Sequence, residues 1–146
     1  MDMMAGLHVS YSGLQAQRAR MNVVASNLAN ANATRTPEGG PYKRKDVIFA
    51  TQPHVASFAD LLDTRLQNGV GEVQVLDIVS DPNAIRLEYD PKHPDANAQG
   101  FVAYPDINVL QEMVDLVSAS RLYEANVTAI NSAKDMALRA LQIGRV

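Results

Sequence analysis

The chain has 146 residues, a formal net charge of −3 and no cysteine. This length suits one domain, or one small domain with helical extensions. The acidic balance argues against a dominant nucleic-acid or anionic-membrane role, because surfaces that bind phosphate need an excess of basic residues. The chain begins Met1-Asp2-Met3-Met4, without the basic segment of a cleavable signal peptide. No apolar run reaches the length of a membrane span, so direct membrane insertion is not expected.

The N-terminal part, residues 3–32, has the pattern of a long amphipathic helix. Apolar residues recur every seven positions along it, at Leu7, Leu14, Met21 and Leu28. Glycines within this stretch lower its intrinsic helix stability by about 1 kcal/mol each relative to alanine. We therefore expect the isolated helix to be marginal.

The middle of the chain reads as a small β unit. Residues 42–51 and 72–79 have strand character, and Ile85, Leu87 and Tyr89 alternate with charged residues in the clearest strand pattern of the sequence. A return strand is predicted over 99–104. Residues 52–71 carry a weak signal that suits either a short helix beginning near Ser57 or a loop.

The C-terminal part, residues 107–146, predicts a second and longer helix. Asn108 is the expected N-cap, with Gln111 as its capping-box partner. Two apolar seams run side by side along it, so its apolar surface is wider than a two-stranded coiled coil requires. The residues expected to pack from this helix are Val109, Met113, Leu116, Tyr123, Val127, Ile130 and Ile143.

These elements predict a mainly α protein with a small β unit. The two long terminal helices are expected to pair antiparallel as a coiled-coil-like hairpin that flanks the β-rich middle. We divide the chain into an N-terminal helix (1–33), a linker with the β-rich segment (34–106) and a C-terminal helix (107–146). The surplus apolar faces need further partners, which identical subunits can supply.

Polar residues within the helices offer a second clue. Polar groups at a helix interface can set register and partner number at some cost in stability. Each could instead belong to a solvated helix face, and Arg121 and Glu124 could pair on one helix. The candidates for setting register are Asn27, Asn30, Arg121, Glu124 and Asn126.

Catalytic and ligand-binding patterns are weak. Asp90, His93 and Asp95 could be drawn as metal ligands, but the prolines between them already explain a rigid turn. The basic cluster of residues 43–45 is interpreted as a solvated turn and not as a polyanion site. There is no glycine-rich phosphate loop. We expect no enzyme activity, cofactor, metal or small-molecule substrate.

Several stretches resemble a known family. Residues 26–32, Ser-Asn-Leu-Ala-Asn-Ala-Asn, are similar to the N-terminal signature of the bacterial flagellar rod and hook proteins, the axial family. Further similar stretches narrow the resemblance to subunits of the proximal rod, and they cover both helices and most of the middle. These stretches are residues 39–42, 89–96, 100–102, 108–115, 119–128 and 143–145.

The resemblance implies a structural subunit of the basal-body proximal rod, the drive shaft that transmits torque for motility. Such subunits assemble helically through their terminal helices around a central channel, with the β-rich portion outside. The implied partners are other copies, other rod proteins, the flagellar type III export apparatus and the MS ring of the basal body. The implied location is the rod spanning the periplasm, reached by export without a cleavable signal.

Three alternatives are kept beside this interpretation. The nearest is another flagellar rod subunit. A second is a soluble helical adaptor or chaperone that buries its own helices, and a small hydrolase has the least support. In the rod interpretation, the marginal helices are expected to be largely disordered in the free subunit and to fold as neighbours bury them.

Overall fold

The structure is a computed structural model that describes residues 3–53 and 71–143. Its elements, in chain order, are α1 (Met3–Ala29), β1 (Lys45–Pro53), β2 (Gly71–Ser80), β3 (Ile85–Tyr89), β4 (Phe101–Pro105) and α2 (Val109–Ile143). Two helices therefore flank a strand segment, which confirms the predicted mainly α architecture with a small β unit. The short helix considered near Ser57 lies outside the described residues. Neither described helix is long and apolar enough to cross a membrane.

The ends of the helices follow the local chemistry of the sequence. The Asn108 side-chain oxygen accepts hydrogen bonds from the backbone N–H groups of Leu110 (3.1 Å) and Gln111 (3.2 Å), which confirms it as the N-cap of α2. At the end of α1, the Asn30 side-chain amide donates to the Ser26 carbonyl at 2.8 Å. The same carbonyl also accepts from the Asn30 backbone N–H at 3.1 Å, so Asn30 closes the helix with both its backbone and its side chain.

The strands form two separate two-stranded sheets, β1 with β2 and β3 with β4. The second is an antiparallel hairpin in which Ile85 pairs with Pro105, Leu87 with Ala103 and Tyr89 with Phe101. Strand alternation gives this hairpin two different faces. One face contains the fully buried Val102, whereas Leu87 and Tyr89 on the other face are 68% and 65% exposed.

The contacts divide the chain into two compact units, which are described separately. The first comprises Met1–Ala19, Phe49–Leu76 and Ala119–Val146. Its helical segments meet through small residues: Ala16 and Ala119 are buried, and a Cβ added at Gly13 would lie 3.0 Å from the side-chain nitrogen of Asn126. Glycine at this position permits a close helix approach, which offsets its intrinsic cost within a helix.

The second unit comprises Arg20–Ile48 and Asp77–Ser118. Its apolar centre is a cluster of Ala31, Tyr42 and Ile107, with Ala33 packed against it. The cluster joins the turn after α1, the approach to β1 and the approach to α2. These three segments are brought together although they are far apart in the sequence.

The loop between β3 and β4 depends on Gly100. Gly100 has a φ of +82°, a left-handed conformation that favours glycine, and a Cβ there would lie 2.9 Å from Cε2 of Tyr89. The Asp90 N–H also donates to the Gly100 carbonyl at 3.0 Å. The loop geometry therefore requires both the positive φ and the absence of a side chain.

We expect Gly100→Ala to lower the free energy of unfolding by about 1 to 3 kcal/mol, because it combines left-handed strain with the contact to the Tyr89 ring. The control is Gly40→Ala, which has a φ of +77° but no atom within 4 Å of the added Cβ. Urea denaturation followed by tyrosine fluorescence measures both variants, and the chain has no tryptophan to obscure the signal. Equal losses in the two variants would show that the ring contact is unimportant.

Candidate functional site

Two polar side chains are fully buried in the second unit, one from each helix. Asn27 lies in the last turns of α1 and Glu112 in the first turn of α2, and each is 1% exposed. Buried polar groups are costly unless their hydrogen bonds are made. We call these two residues, together with Tyr42, Arg44 and Lys45, the polar node.

The Asn27 amide uses its full hydrogen-bonding capacity within the polar node. Its nitrogen donates to the Lys45 carbonyl (2.8 Å) and to the Glu112 carboxylate (3.2 Å). Its oxygen accepts from the Lys45 N–H (3.0 Å) and from the Tyr42 hydroxyl (3.1 Å). The Tyr42 hydroxyl also lies 3.1 Å from the Ser26 hydroxyl. An amide has two donors and two useful acceptor positions, so this one is satisfied on every side.

The second partner of Glu112 is a charged group from the segment before β1. The Arg44 Nε donates to the Glu112 carboxylate at 2.8 Å, and the Arg44 Nη1 lies 3.5 Å from the Asp46 carboxylate. Hydrogen bonding to Glu112 raises the pKa of Arg44 above its ordinary value, against an opposing effect of burial. A group with a raised pKa stabilises the fold fully at pH values below its unfolded-state pKa. This stabilisation is lost only as the pH rises through the folded-state pKa, so the contribution of Arg44 is constant near neutrality.

Local structure prepares the Glu112 carboxylate for this position. The Asn108 cap fixes the start of α2, and the Glu112 N–H donates to the Asn108 carbonyl at 3.0 Å. A carboxylate in the first turn of a helix interacts favourably with the helix dipole. The helix start therefore both orients Glu112 and lowers the cost of burying it.

A second polar contact joins the same two helices in this unit. The Arg20 Nη2 lies 3.4 Å from the Asp115 carboxylate, and their side chains are 38% and 23% exposed. An ion pair with this exposure contributes little to stability. The pair does show that the face of α1 with Arg20 lies next to the face of α2 with Asp115.

The structure places the predicted apolar packing residues at partly covered positions. Val109 and Met113 are 41% and 42% exposed, and the side chain of Ile143 lies outside the described residues. The remaining predicted packing residues are all half-buried: Leu7, Leu14, Met21, Leu28, Leu116, Tyr123, Val127 and Ile130.

The predicted register-setting residues fall into three environments. Asn27 is buried in the polar node, Asn30 and Asn126 are half-buried, and Arg121 and Glu124 are exposed. Only Asn27 joins Glu112, Arg44 and Tyr42.

Sequence reasoning missed three members of the polar node. Arg44 was interpreted as part of a solvated turn, which describes the exposed Lys43 and Lys45 but is wrong for Arg44. For Glu112 and Tyr42, the sequence offers only their place within stretches that resemble the family. A usable signal existed for Glu112, because it lies four and seven residues before Leu116 and Ala119 and is therefore in phase with the inward face of the helix.

The side chains of the loop that were considered as metal ligands instead accept hydrogen bonds from other groups of the protein. The Thr34 hydroxyl donates to Asp95 at 2.8 Å, the Asp95 N–H donates to the His93 ring at 3.1 Å, and the Lys92 N–H donates to Asp90 at 3.1 Å. Within residues 3–53 and 71–143, no three His, Asp or Glu side chains are grouped so as to hold a metal ion. These side chains hold the loop in shape.

We expect Asn27→Asp to destabilise the second unit by about 3 to 5 kcal/mol, because it places a carboxylate oxygen against Glu112 and the Lys45 carbonyl where an N–H donor now lies. Asn32→Asp, at an exposed asparagine of the same motif, is the matched control and should change stability little. Urea denaturation of both variants is the measurement. A small loss for Asn27→Asp would contradict the role given to its amide donor.

Comparison with known proteins identifies the family. Residues 7–35 match the family model described as "Flagella basal body rod protein", and residues 98–143 match "Flagellar basal body rod FlgEFG protein C-terminal". Both helices fall largely within these matches, and the first includes Asn27 whereas the second includes Glu112.

Curated relatives match the chain over nearly its whole length. It is 47% identical to the flagellar basal-body rod protein FlgC of Bacillus subtilis, over 95% of this chain and 96% of the relative. It is 42% identical to FlgC of Borreliella burgdorferi over 98% of both chains, and 37% identical to FlgC of Salmonella typhimurium over 94% of both. On this identity and coverage, the chain belongs to the FlgC family of flagellar basal-body rod proteins.

Proposed function

We propose that the chain is a structural subunit of the flagellar basal-body rod and performs no catalysis. The observation that carries this proposal is the near full-length identity, 37% to 47%, to flagellar basal-body rod proteins. The fold is consistent with this role, since its buried polar groups form hydrogen bonds between segments of the chain. The subunit assembles helically into the proximal rod and transmits torque through many repeated contacts.

The two terminal helices pair antiparallel within the subunit. Two contacts of the second unit support this orientation: Arg20 lies beside Asp115, and Asn27, further along α1, lies beside Glu112, nearer the start of α2. The residue numbers of the contacts increase along α1 while they decrease along α2. The two contacts therefore fit helices that run in opposite directions. The coiled-coil-like hairpin predicted from the heptad spacing is part of the same proposal.

The proposed division of labour keeps the terminal segments, 1–33 and 107–146, as the axial core and 34–106 as the outer β-rich segment. The half-buried apolar residues of the helices, Val127 and Ile130 among them, complete their burial against neighbouring subunits. Asn27 sets register between segments of its own chain, as its four intramolecular hydrogen bonds support. Asn30, Arg121, Glu124 and Asn126 set register along the helices.

The partners and location follow from the same proposal. The subunit binds other copies of itself and other rod proteins, and at the base of the rod it meets the MS ring. It reaches the rod, in the periplasm, through the flagellar type III export apparatus without a cleavable signal. The identity to FlgC relatives favours this subunit type over other rod subunits, although the C-terminal helix also matches the FlgEFG family model.

We expect Val127→Asp to abolish incorporation into rods, because it places a charge at a half-buried helix position that neighbours would cover. The matched control is Thr128→Asp at the adjacent, exposed position. Both variants are tested for motility and for presence in purified basal bodies, in a motile bacterium that lacks its own FlgC-family subunit. Failure of the wild-type chain to restore rods there would refute the proposed function. Normal incorporation of Val127→Asp would refute only the assignment of that position.

We also expect the free chain to show less helix than the 27 and 35 residues of α1 and α2 would give, because apolar helix surface is left uncovered without neighbours. Far-UV circular dichroism at low concentration measures the helicity, and sedimentation shows that the sample is monomeric. Full helicity with a cooperative thermal transition would instead favour a self-sufficient helical adaptor.

A further inference from the structure

The β3–β4 hairpin presents an apolar face that is buried at Pro105 and largely exposed along the rest of its length. Ile85, Leu87, Tyr89 and Phe101 lie on this face, and they are 37%, 68%, 65% and 40% exposed. The rings of Tyr89 and Phe101 are in edge-to-face contact, with centroids 5.3 Å apart. The pair forms an organised surface and not a set of scattered side chains. We call it the hairpin face.

The first turns of α2 present a second uncovered apolar surface in the same unit. It is formed by residues that recur at spacings of one, three and four, which places them on one side of the helix. Glu112 is buried on another side of α2, so this side points away from the polar node. These exposed residues, here called the helix stripe, are Val109, Leu110, Met113, Val114 and Val117.

The two surfaces cannot cover each other within one subunit. Only residues 106–108 connect β4 to α2, and each is held: the Asp106 N–H donates to the Ala84 carbonyl at 2.8 Å, Ile107 is buried, and Asn108 caps the helix. Turning the stripe towards the hairpin face would break these contacts. The helix stripe of the same subunit therefore cannot cover the hairpin face.

We propose that the hairpin face of one subunit receives the helix stripe of a second copy. This inference rests on the proposed function, since it names a contact by which the rod subunit assembles. The contact is heterologous: each copy offers a hairpin face to one neighbour and a helix stripe to the other. Such a contact propagates along an assembly instead of closing a dimer.

The dimensions of the two surfaces match. The hairpin face extends along β3 from Ile85 to Tyr89, about 14 Å at the antiparallel strand rise. The helix stripe extends from Val109 to Val117, about 12 Å at the helical rise. A helix can therefore cover the hairpin face over nearly its whole length.

The charges are also compatible. No charged residue belongs to the hairpin face, and Arg86 and Glu88 lie on the opposite side of β3. Among residues 109–118, the two acids are Glu112, buried in the polar node, and Asp115, paired with Arg20. Contact between the surfaces would thus remove apolar area from water without burying an unpaired charge.

This contact is small compared with a standard interface of about 20 to 30 residues a side, so it should be weak in isolation. Chemical capture is therefore more suitable than measurement of a stable dimer. Because the chain has no cysteine, single-cysteine variants carry no background. Leu87→Cys marks the hairpin face and Val114→Cys marks the helix stripe, and both positions are more than half exposed.

The two full-length variants, tagged to differ in size, are mixed and treated with a short bismaleimide. The same mixing uses Glu88→Cys and Gln111→Cys as the control pair, since both are exposed but lie outside the proposed contact. We expect the Leu87→Cys and Val114→Cys mixture to give a cross-linked heterodimer well above the control pair. Neither variant alone should give a comparable homodimer.

A heterodimer yield equal to that of the control pair would overturn the proposal. Homodimers from one variant alone would overturn it as well, because they would indicate like surfaces in contact. The pairs are also co-expressed in the cells of the rod-complementation assay. Rods that form without the heterodimer would refute this contact and leave the proposed function intact, whereas a wild-type chain that forms no rods would refute the proposed function itself.

Discussion

The fold of the second unit depends on the burial of one carboxylate. Removing a carboxylate from water costs several kcal/mol unless charge and hydrogen bonds replace the lost hydration. At Glu112 the replacement comes from the Arg44 guanidinium, the Asn27 amide and the favourable start of α2. Since each partner belongs to a different segment, the cost is offset only when the end of α1, the approach to β1 and the start of α2 are all in place. The node therefore selects one arrangement of these segments.

The apolar residues are distributed in a complementary way. The buried apolar residues of the described chain are few, Ala16 and Ala119 among them, while leucines and valines of α2 remain exposed. Polar contacts can order a subunit without using up its apolar surface, which stays available for assembly. In the proposed rod, internal specificity would come from the polar node and cohesion between subunits from the helices and the hairpin.

Much of the fold was predictable because its signals are local. Helical periodicity, the Asn108 cap and the alternation in residues 85–89 each depend on neighbours within a few positions, and the structure has a helix, a cap and a strand there. The candidate site was only partly predictable. The sequence predicts Asn27 as a register-setting residue. Its hydrogen bonds to Lys45 and Glu112, however, join residues that are 18 and 85 positions apart in the sequence. No local pattern specifies such a pairing.

The sequence by itself determined the types of the elements, their approximate ends and the family to which the chain belongs. The tertiary structure decided which polar residues are buried and which apolar residues are not. Alternation in β3 indicates two distinct faces, yet an apolar face normally turns inward, and here it is exposed while Val102 on the other side is buried. Likewise, the sequence around Arg44 predicts a solvated turn, whereas in the structure Arg44 forms an ion pair with the buried Glu112. The physical reason is that burial depends on which distant segments meet, whereas periodicity and capping depend only on the residues nearby.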